Sequence, residues 1–365
     1  MKLGRRHAIY LMSGLGIAAL SYLIPGRRTS KPEGLTVDII ASNITAPWSI
    51  AFLSRDEAVF TERRGVVKYL DVGTGVIEEL GVLDVAAVGE AGLLGAAVRG
   101  DRIYLYYTYR KESMLVNRVS SFSYSGGLDD EAIVRDGIPG GTIHDGGRIR
   151  FGPDGMLYIT TGDAGNPAYS QDISSLGGKI LRLTPDGEIP PDNPFPDSPV
   201  CSLGHRNPQG LDWQRETGLL YSTEHGPTGE GGRFANDELN IIRPGGNYGW
   251  PVVVGDERLD PYIPPLLSSG NDTWAPSGCA FYYGQVKEWR GNLFFACLRG
   301  EHLHRVALGP GPTIYHHEKL FQSEYGRLRD VVEGPDGLYI LTSNRDGRGI
   351  PSRDDDRIIR IGARG

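Results

Sequence analysis

The segment GPDGMLYITT, residues 152–161, returns in shortened form as GPDGLYILT at 334–342. In both copies a Pro-Asp-Gly turn feeds a run of aliphatic, aromatic and β-branched residues, the pattern of a strand leaving a tight turn. The same turn-then-strand order recurs as DEAVFTERRG (56–65), GDRIYLYYTY (100–109), TGLLYSTEHG (217–226) and RGNLFFACLRG (290–300). Each run has a follower after a polar loop: VVKYLDVG, VNRVSSFSYS, GKILRLTPDG, ELNIIRPGG, HLHRVALG and DRIIRIG. One such unit cannot bury both of its faces, so neighbouring units must stack around a ring. The repeat therefore predicts an all-β, six-bladed β-propeller over residues 35–362, with roughly four strands per blade. The leading run LTVDIIAS (35–42) is expected to pair with the C-terminal strands, which closes the ring and protects both edges. Two packed sandwiches would not space six similar units so evenly.

Composition agrees with short strands and many turns. Of 365 residues, 52 are glycine and 24 proline, while 39% are hydrophobic and 23% charged. The formal net charge is -7, and the first 28 residues carry five basic and no acidic side chains, so the body is more acidic still. An acidic body argues against a nucleic-acid partner, because phosphate binding needs a basic face. It also makes any local gathering of arginines informative.

Residues 1–28 read as an N-terminal export signal or membrane anchor. Arg5 and Arg6 precede the uncharged stretch AIYLMSGLGIAALSYLI (8–24), and PGRRTSKPEG follows. The length lies between a signal core and a short span, and the paired arginines point to the twin-arginine route. The expectation is an exported protein on the periplasmic or extracellular face, with membrane contact only through that segment. The GLGIAA within it follows no strand and is not a dinucleotide-binding turn. Cys201, Cys279 and Cys297 form neither a metal pattern nor a disulfide framework. Cys279 and Cys297 are nearly equidistant from a turn at QVKEWRGN. They are either two buried thiols or a cross-strand bridge.

In a propeller the loops at one end converge on the central channel, so residues far apart in sequence can build one site. Five loops stand out: GEAGLLG (89–95), IHDGG with TTGD (143–147, 160–163), GHRNPQG with EHGP (204–210, 224–227), CLRG (297–300) and YGRLRD (325–330). Taken singly, each is an ordinary turn. Together they would bring Arg206, Arg299, Arg327 and Arg329 to one channel, an arrangement that calls for an anion bearing several carboxylates or phosphates. Carbonyls of EHGP beside such an anion would suit a hard cation such as Ca²⁺. His144, oriented by Asp163, would be a general base.

At this point the chain resembles the soluble quinoprotein glucose/sorbosone dehydrogenases, the aldose sugar dehydrogenases that use pyrroloquinoline quinone (PQQ). The resemblance covers roughly residues 38–362 and rests on nine motifs in order: GEAGLLG, HDGGRIRFGPDG, TTGDAGNP, GGKILRL with DGEIPPDNPF, GHRNPQGL, EHGP, DELNIIRPGGNYGWP, APSG and GRLRDV. It implies the six-bladed fold independently of the blade count. It also implies that His144 takes the proton of the sugar C1 hydroxyl while a hydride passes to the quinone, giving the lactone, with Asp163 orienting the base. Arg206 and Asn207 match the pair on the quinone oxygens, and Arg327 and Arg329 match basic residues around the cofactor carboxylates. The carbonyls of Gly226 and Pro227 match ligands of the Ca²⁺ that holds PQQ. Glu238 and Tyr248 match a second, structural Ca²⁺ site, the tyrosine through its carbonyl.

Two positions depart from the family pattern. Glu90 stands where some members place a glutamine against the cofactor, and a carboxylate there needs a cation or a proton beside it. Arg299 stands where others have lysine, which keeps the charge and changes the hydrogen-bond geometry. The stretch VVVGDERLDPYIPP (252–265) finds no match. The partners implied are an aldose and an external electron acceptor. Two rival readings share the fold: a Ca²⁺-dependent lactonase, which would need channel carboxylates or asparagines around its metal, and a non-catalytic glycan-binding propeller.

Overall fold

The computed structural model describes residues 34–309 and 312–364; the proposed export segment, residues 1–28, lies outside them. Six antiparallel four-stranded sheets make the fold. Blade one is Pro47–Phe52, Glu57–Glu62, Val66–Asp71 and Ile77–Val82. Blade two is Leu93–Arg99, Arg102–Lys111, Met114–Tyr124 and Leu128–Pro139. Blade three is Ile149–Phe151, Leu157–Thr161, Lys179–Leu183 and Val200–Leu203. Blade four is Pro208–Trp213, Leu220–Glu224, Glu238–Ile242 and Leu267–Ser268. Blade five is Pro276–Tyr282, Asn292–Cys297, His302–Leu308 and Ile314–Leu320. Blade six takes Leu328–Glu333, Leu338–Thr342 and Ile358–Ala363 from the C-terminal end and completes itself with Leu35–Ala41.

The first strand of each blade touches the first strand of the next, all the way round. The six repeated pairs read from sequence are the second and third strands of the six blades. They were legible because packing between blades buries them; Leu157–Thr161 and Asn292–Cys297 are buried at every position. Outer strands such as Ile77–Val82 are half exposed and carry no such signature. The cores lie between blades: Phe60 and Leu70 of blade one pack with Tyr339, Leu341 and Ile358 of blade six. The expected closure is present, with Leu35 opposite Ala363, Val37 opposite Ile361 and Ile39 opposite Ile359.

The cross-strand bridge is not formed. Cys279 faces Phe295 and Cys297 lies opposite Pro276, because the register shifts between Pro276 and Cys279. All three cysteines are free and buried.

Candidate active site

The motifs read as channel loops either lead into an innermost strand or, as TTGD, EHGP and CLRG do, leave the second strand paired with it, which is why they converge. IHDGG runs into Ile149–Phe151, GHRN into Pro208–Trp213, and GR of GRLRDV into Leu328–Glu333. In blade three this arrangement is tightly enforced. His144 sits on left-handed backbone with φ 59°, and a Cβ at Gly162 would lie 1.9 Å from the His144 carbonyl oxygen. Only glycine admits that approach. It brings the start of the hairpin against its end, so that His144 Nδ1 stands 2.7 Å from Asp163 Oδ1.

Asp163 is fully buried. Its Oδ1 also accepts the Gly165 N–H (2.8 Å), and its Oδ2 accepts the indole N–H of Trp250 (2.8 Å). A carboxylate so held accepts the Nδ1 proton of His144, which leaves Nε2 as the basic nitrogen. The Asp163 backbone N–H donates to the Arg206 carbonyl (2.8 Å), tying blade three to the loop before blade four.

His144 lines a cleft of about 530 Å³ together with Glu90, Arg206, Gly226, Pro227, Arg299 and Arg327. Arg329 lines an adjoining space with Trp48 and Gln209, and both spaces share Glu90, His225 and Arg348 as walls. The expectation of four uncompensated guanidiniums at one focus needs correction. Arg206 is paired with Glu230, and Arg327 holds Asp346 Oδ2 through Nε (3.1 Å) and Nη2 (2.9 Å). Carboxylates of the same chain supply the counter-charge, since burial of an unpaired cation is costly. Arg299 is exposed. Arg329 donates to Gln209 Oε1 (3.1 Å), its Nε has no partner among the described residues, and burial pulls it down to about 9.

Glu90 has the cation that its position demands. Its Oε1 accepts from Arg348 (2.7 Å) and its Oε2 from the His144 backbone N–H (2.9 Å). Burial works against its charge, but that N–H and the Arg348 guanidinium outweigh burial and keep the carboxyl below its ordinary value. Asn207 is a brace: its Oδ1 accepts from the Gly146 N–H (3.0 Å) and Gln209 Nε2 (3.1 Å).

Three contributors were not read from sequence. Arg348 follows a strand in NRDGRG and reaches back across the ring. Trp250, inside the quoted NYGWP, seats both Asp163 and the Arg206 guanidinium, whose centre lies 5.4 Å from its ring. His225, in the quoted EHGP, is half-buried, and its buried Nε2 has no partner among the described residues. Burial lowers it to about 3, so it is neutral.

The residues matched to cations come together. Gly226, Pro227, Glu238 and Tyr248 line one small space with Glu224. Glu224 and Glu238 are directly opposed across two strands. Burial, then Glu224, raises Glu238 to about 8. Two opposed buried carboxylates are a donor set that fits a hard cation. The Tyr248 hydroxyl is already committed, donating to the Ile241 carbonyl (2.5 Å) and accepting from the Arg243 N–H (2.8 Å). A planar polycarboxylate quinone fits the cleft and the space adjoining it by charge and by two donors without a partner among the described residues, His225 Nε2, which borders both, and Arg329 Nε in the adjoining space. A larger hollow of about 680 Å³ beside Tyr107 and Tyr109 is lined by Arg118, whose guanidinium is already paired with Asp136 (2.8 Å); there Glu131 and Asp136 also hold the tyrosine hydroxyls.

A family model described as Glucose / Sorbosone dehydrogenase matches residues 44–353. The chain is 30% identical over 351 residues to aldose sugar dehydrogenase YliI of Escherichia coli, covering 87% of this chain and 92% of that protein. It is 27% identical to quinoprotein glucose dehydrogenase B of Acinetobacter calcoaceticus, over 89% of this chain and 88% of that one. The PQQ-bound aldose sugar dehydrogenase of Streptomyces coelicolor superposes with a TM-score of 0.81 at 39% identity, covering 91% of this chain and all of that one.

Proposed function

The chain belongs to the glucose/sorbosone dehydrogenase family, and from that premise we propose that it oxidises aldose sugars at C1 to the lactone, using PQQ with Ca²⁺. The reading is carried by the 2.7 Å His144–Asp163 pair at the wall of a cleft that also holds Arg206, Arg299 and Arg327. His144 Nε2 takes the proton of the C1 hydroxyl. Asp163 keeps the ring in the correct tautomer and stabilises the imidazolium that forms; Trp250 and Gly165 keep Asp163 an acceptor. PQQ, when bound, supplies the two-electron sink for the hydrogen leaving C1.

Arg206 and Asn207 hold the quinone oxygens, for which Arg206 must turn from Glu230. Arg299, Arg327 and Arg329 meet the carboxylates, and Glu90 with its partner Arg348 borders the ligand. The Gly226 and Pro227 carbonyls hold one Ca²⁺; Glu238 and the Tyr248 carbonyl hold a second. Electrons leave to an external acceptor. Residues 35–362 act as one catalytic propeller, and residues 1–28 direct export.

The test adds PQQ and Ca²⁺ to purified protein, then an aldose and an electron-accepting dye. Dye reduction that requires the quinone is expected, and His144→Ala should abolish it while PQQ still binds. Near-normal turnover in that variant would overturn the mechanism. Lactone hydrolysis without PQQ would indicate the lactonase, and silence in both assays a glycan-binding propeller.

A further inference from the structure

Outside the cleft, blade five gathers a second set of chemically capable side chains. Cys297 ends the second strand and His302, directly opposite it, begins the third. His304 lies two residues further along the same face. All three are buried, and one ligand atom from each lies within 4.8 Å of the others. His302 Nε2 and His304 Nδ1 stand 3.0 Å apart.

The outer nitrogens of both rings are already held. His302 Nδ1 is 2.9 Å from the Gly300 carbonyl, which can only accept, so it carries the proton there and its Nε2 is a lone pair aimed at His304. His304 Nε2 is 3.0 Å from His317 Nδ1. Imidazoles that bind a metal through one nitrogen typically have the other fixed in this way by a carbonyl or a further polar group. Phe295 stacks on His304 at 4.5 Å and Trp274 covers it at 4.6 Å, giving the cluster an apolar wall. The nearby cation, Lys319, turns away to pair with Asp272.

We propose that this face of blade five binds a thiolate-seeking transition-metal ion of the zinc class through Cys297 Sγ, His302 Nε2 and His304 Nδ1. In a tetrahedral zinc site two imidazole nitrogens lie about 3.3 Å apart and nitrogen and sulfur about 3.6 Å apart. The histidine pair needs to open by a few tenths of an ångström, and the thiol closes by side-chain rotation. Sulfur and nitrogen donors set the site apart from the oxygen-lined spaces proposed for Ca²⁺.

Binding is balanced in protons. The Cys297 thiol loses one to solvent. The His304 proton moves from Nδ1 to Nε2 and is then donated to His317 Nδ1; His317 carries its own proton on Nε2 facing water. One proton is released per metal. The site also has a place in the architecture: Cys297 and His302 flank the turn 298–301, whose Arg299 and Glu301 line the cleft. A metal here would clamp both ends of that turn.

The test uses the full chain, stripped by a chelator and kept in excess Ca²⁺ so that oxygen sites stay filled. Titration with Co²⁺ should give one equivalent with a thiolate-to-cobalt charge-transfer band, which Zn²⁺ then displaces while raising the melting temperature. Cys297→Ser should lose the band and at least tenfold in Zn²⁺ affinity. His317→Ala, at an exposed position, should keep the band and weaken affinity about 10–100-fold. A wild-type protein without the band, or Cys297→Ser with unchanged Zn²⁺ affinity, overturns the proposal. The wild-type band decides alone if Cys297→Ser does not fold.

Discussion

Glu230 holds the side chain that the proposed cofactor needs. Its carboxylate lies on the guanidinium of Arg206 and is fixed in turn by the Thr228 N–H at 2.6 Å. A polycarboxylate entering the cleft competes with an intramolecular acid, so Glu230→Gln should tighten PQQ binding roughly 3–10-fold, as expected for one half-exposed ion pair. Fluorescence titration of the apo-protein measures this; weaker binding would mean that Glu230 preorganises Arg206 instead. Asp145, next to His144, invites a stability measurement. Burial raises its carboxyl to about 7 despite the N–H of Gly141 and the amide of Asn117, and its Oδ2 has no partner among the described residues. A folded pKa above the unfolded value of about 4 means that the native state binds the proton more tightly. Stability is then full below pH 4 and falls as pH rises to about 7. Asp145→Asn should flatten that fall and exceed wild type above pH 7, on the order of a few kcal/mol, in melting curves taken across the window. At this scale the sequence showed His144 and Asp163 because the motifs that hold them flank one hairpin. It could not show that Glu90 finds its cation in Arg348, 258 positions away.

The hairpin of blade three is the element on which the proposed chemistry depends. His144 precedes Ile149–Phe151 and Asp163 follows Leu157–Thr161, so strand pairing fixes their separation. Gly162→Ala would drive a methyl group into the His144 carbonyl. The expected cost is about 1–3 kcal/mol of stability. The larger effect should be on rate, on the order of 100-fold in kcat, because a shift near 1 Å separates base from substrate. Comparing kcat with the melting temperature distinguishes the two losses; an unchanged kcat would show that the pair re-forms. Elements differed in legibility for a physical reason. Second and third strands are packed between blades and announce themselves by hydrophobic runs. The innermost strand Ile149–Phe151 is three residues long and hides behind a glycine motif, and shifts in register, as between Pro276 and Cys279, have no signature in spacing alone.

The molecule as a whole is a ring held by contacts between neighbours, and the repeat made it readable before any single residue was. What the repeat did not contain is the pairing of charges across the ring, since each partner lies on a different blade. Closure rests on Leu35–Ala41, which pairs with Ile358–Ala363 and adds an ion pair between Asp38 and Arg360. Removing residues up to 41 should expose that edge and the core beneath Leu35 and Val37. We expect a melting temperature lower by at least 5 °C, given that burial of two aliphatic side chains and a strand's hydrogen bonds is lost, and a rise in aggregation on gel filtration. The same closure has a meaning in time. The strand Leu35–Ala41 leaves the ribosome long before its partner Ile358–Ala363 and must wait for it, and loops of that span are slow to close. Until then blade six offers its neighbours an unpaired flank. The interval between synthesis of Ala41 and of Ile358 is therefore when this protein is most exposed to misassembly, and a chaperone would shorten that exposure most by attending to these two partner strands rather than to any blade between them.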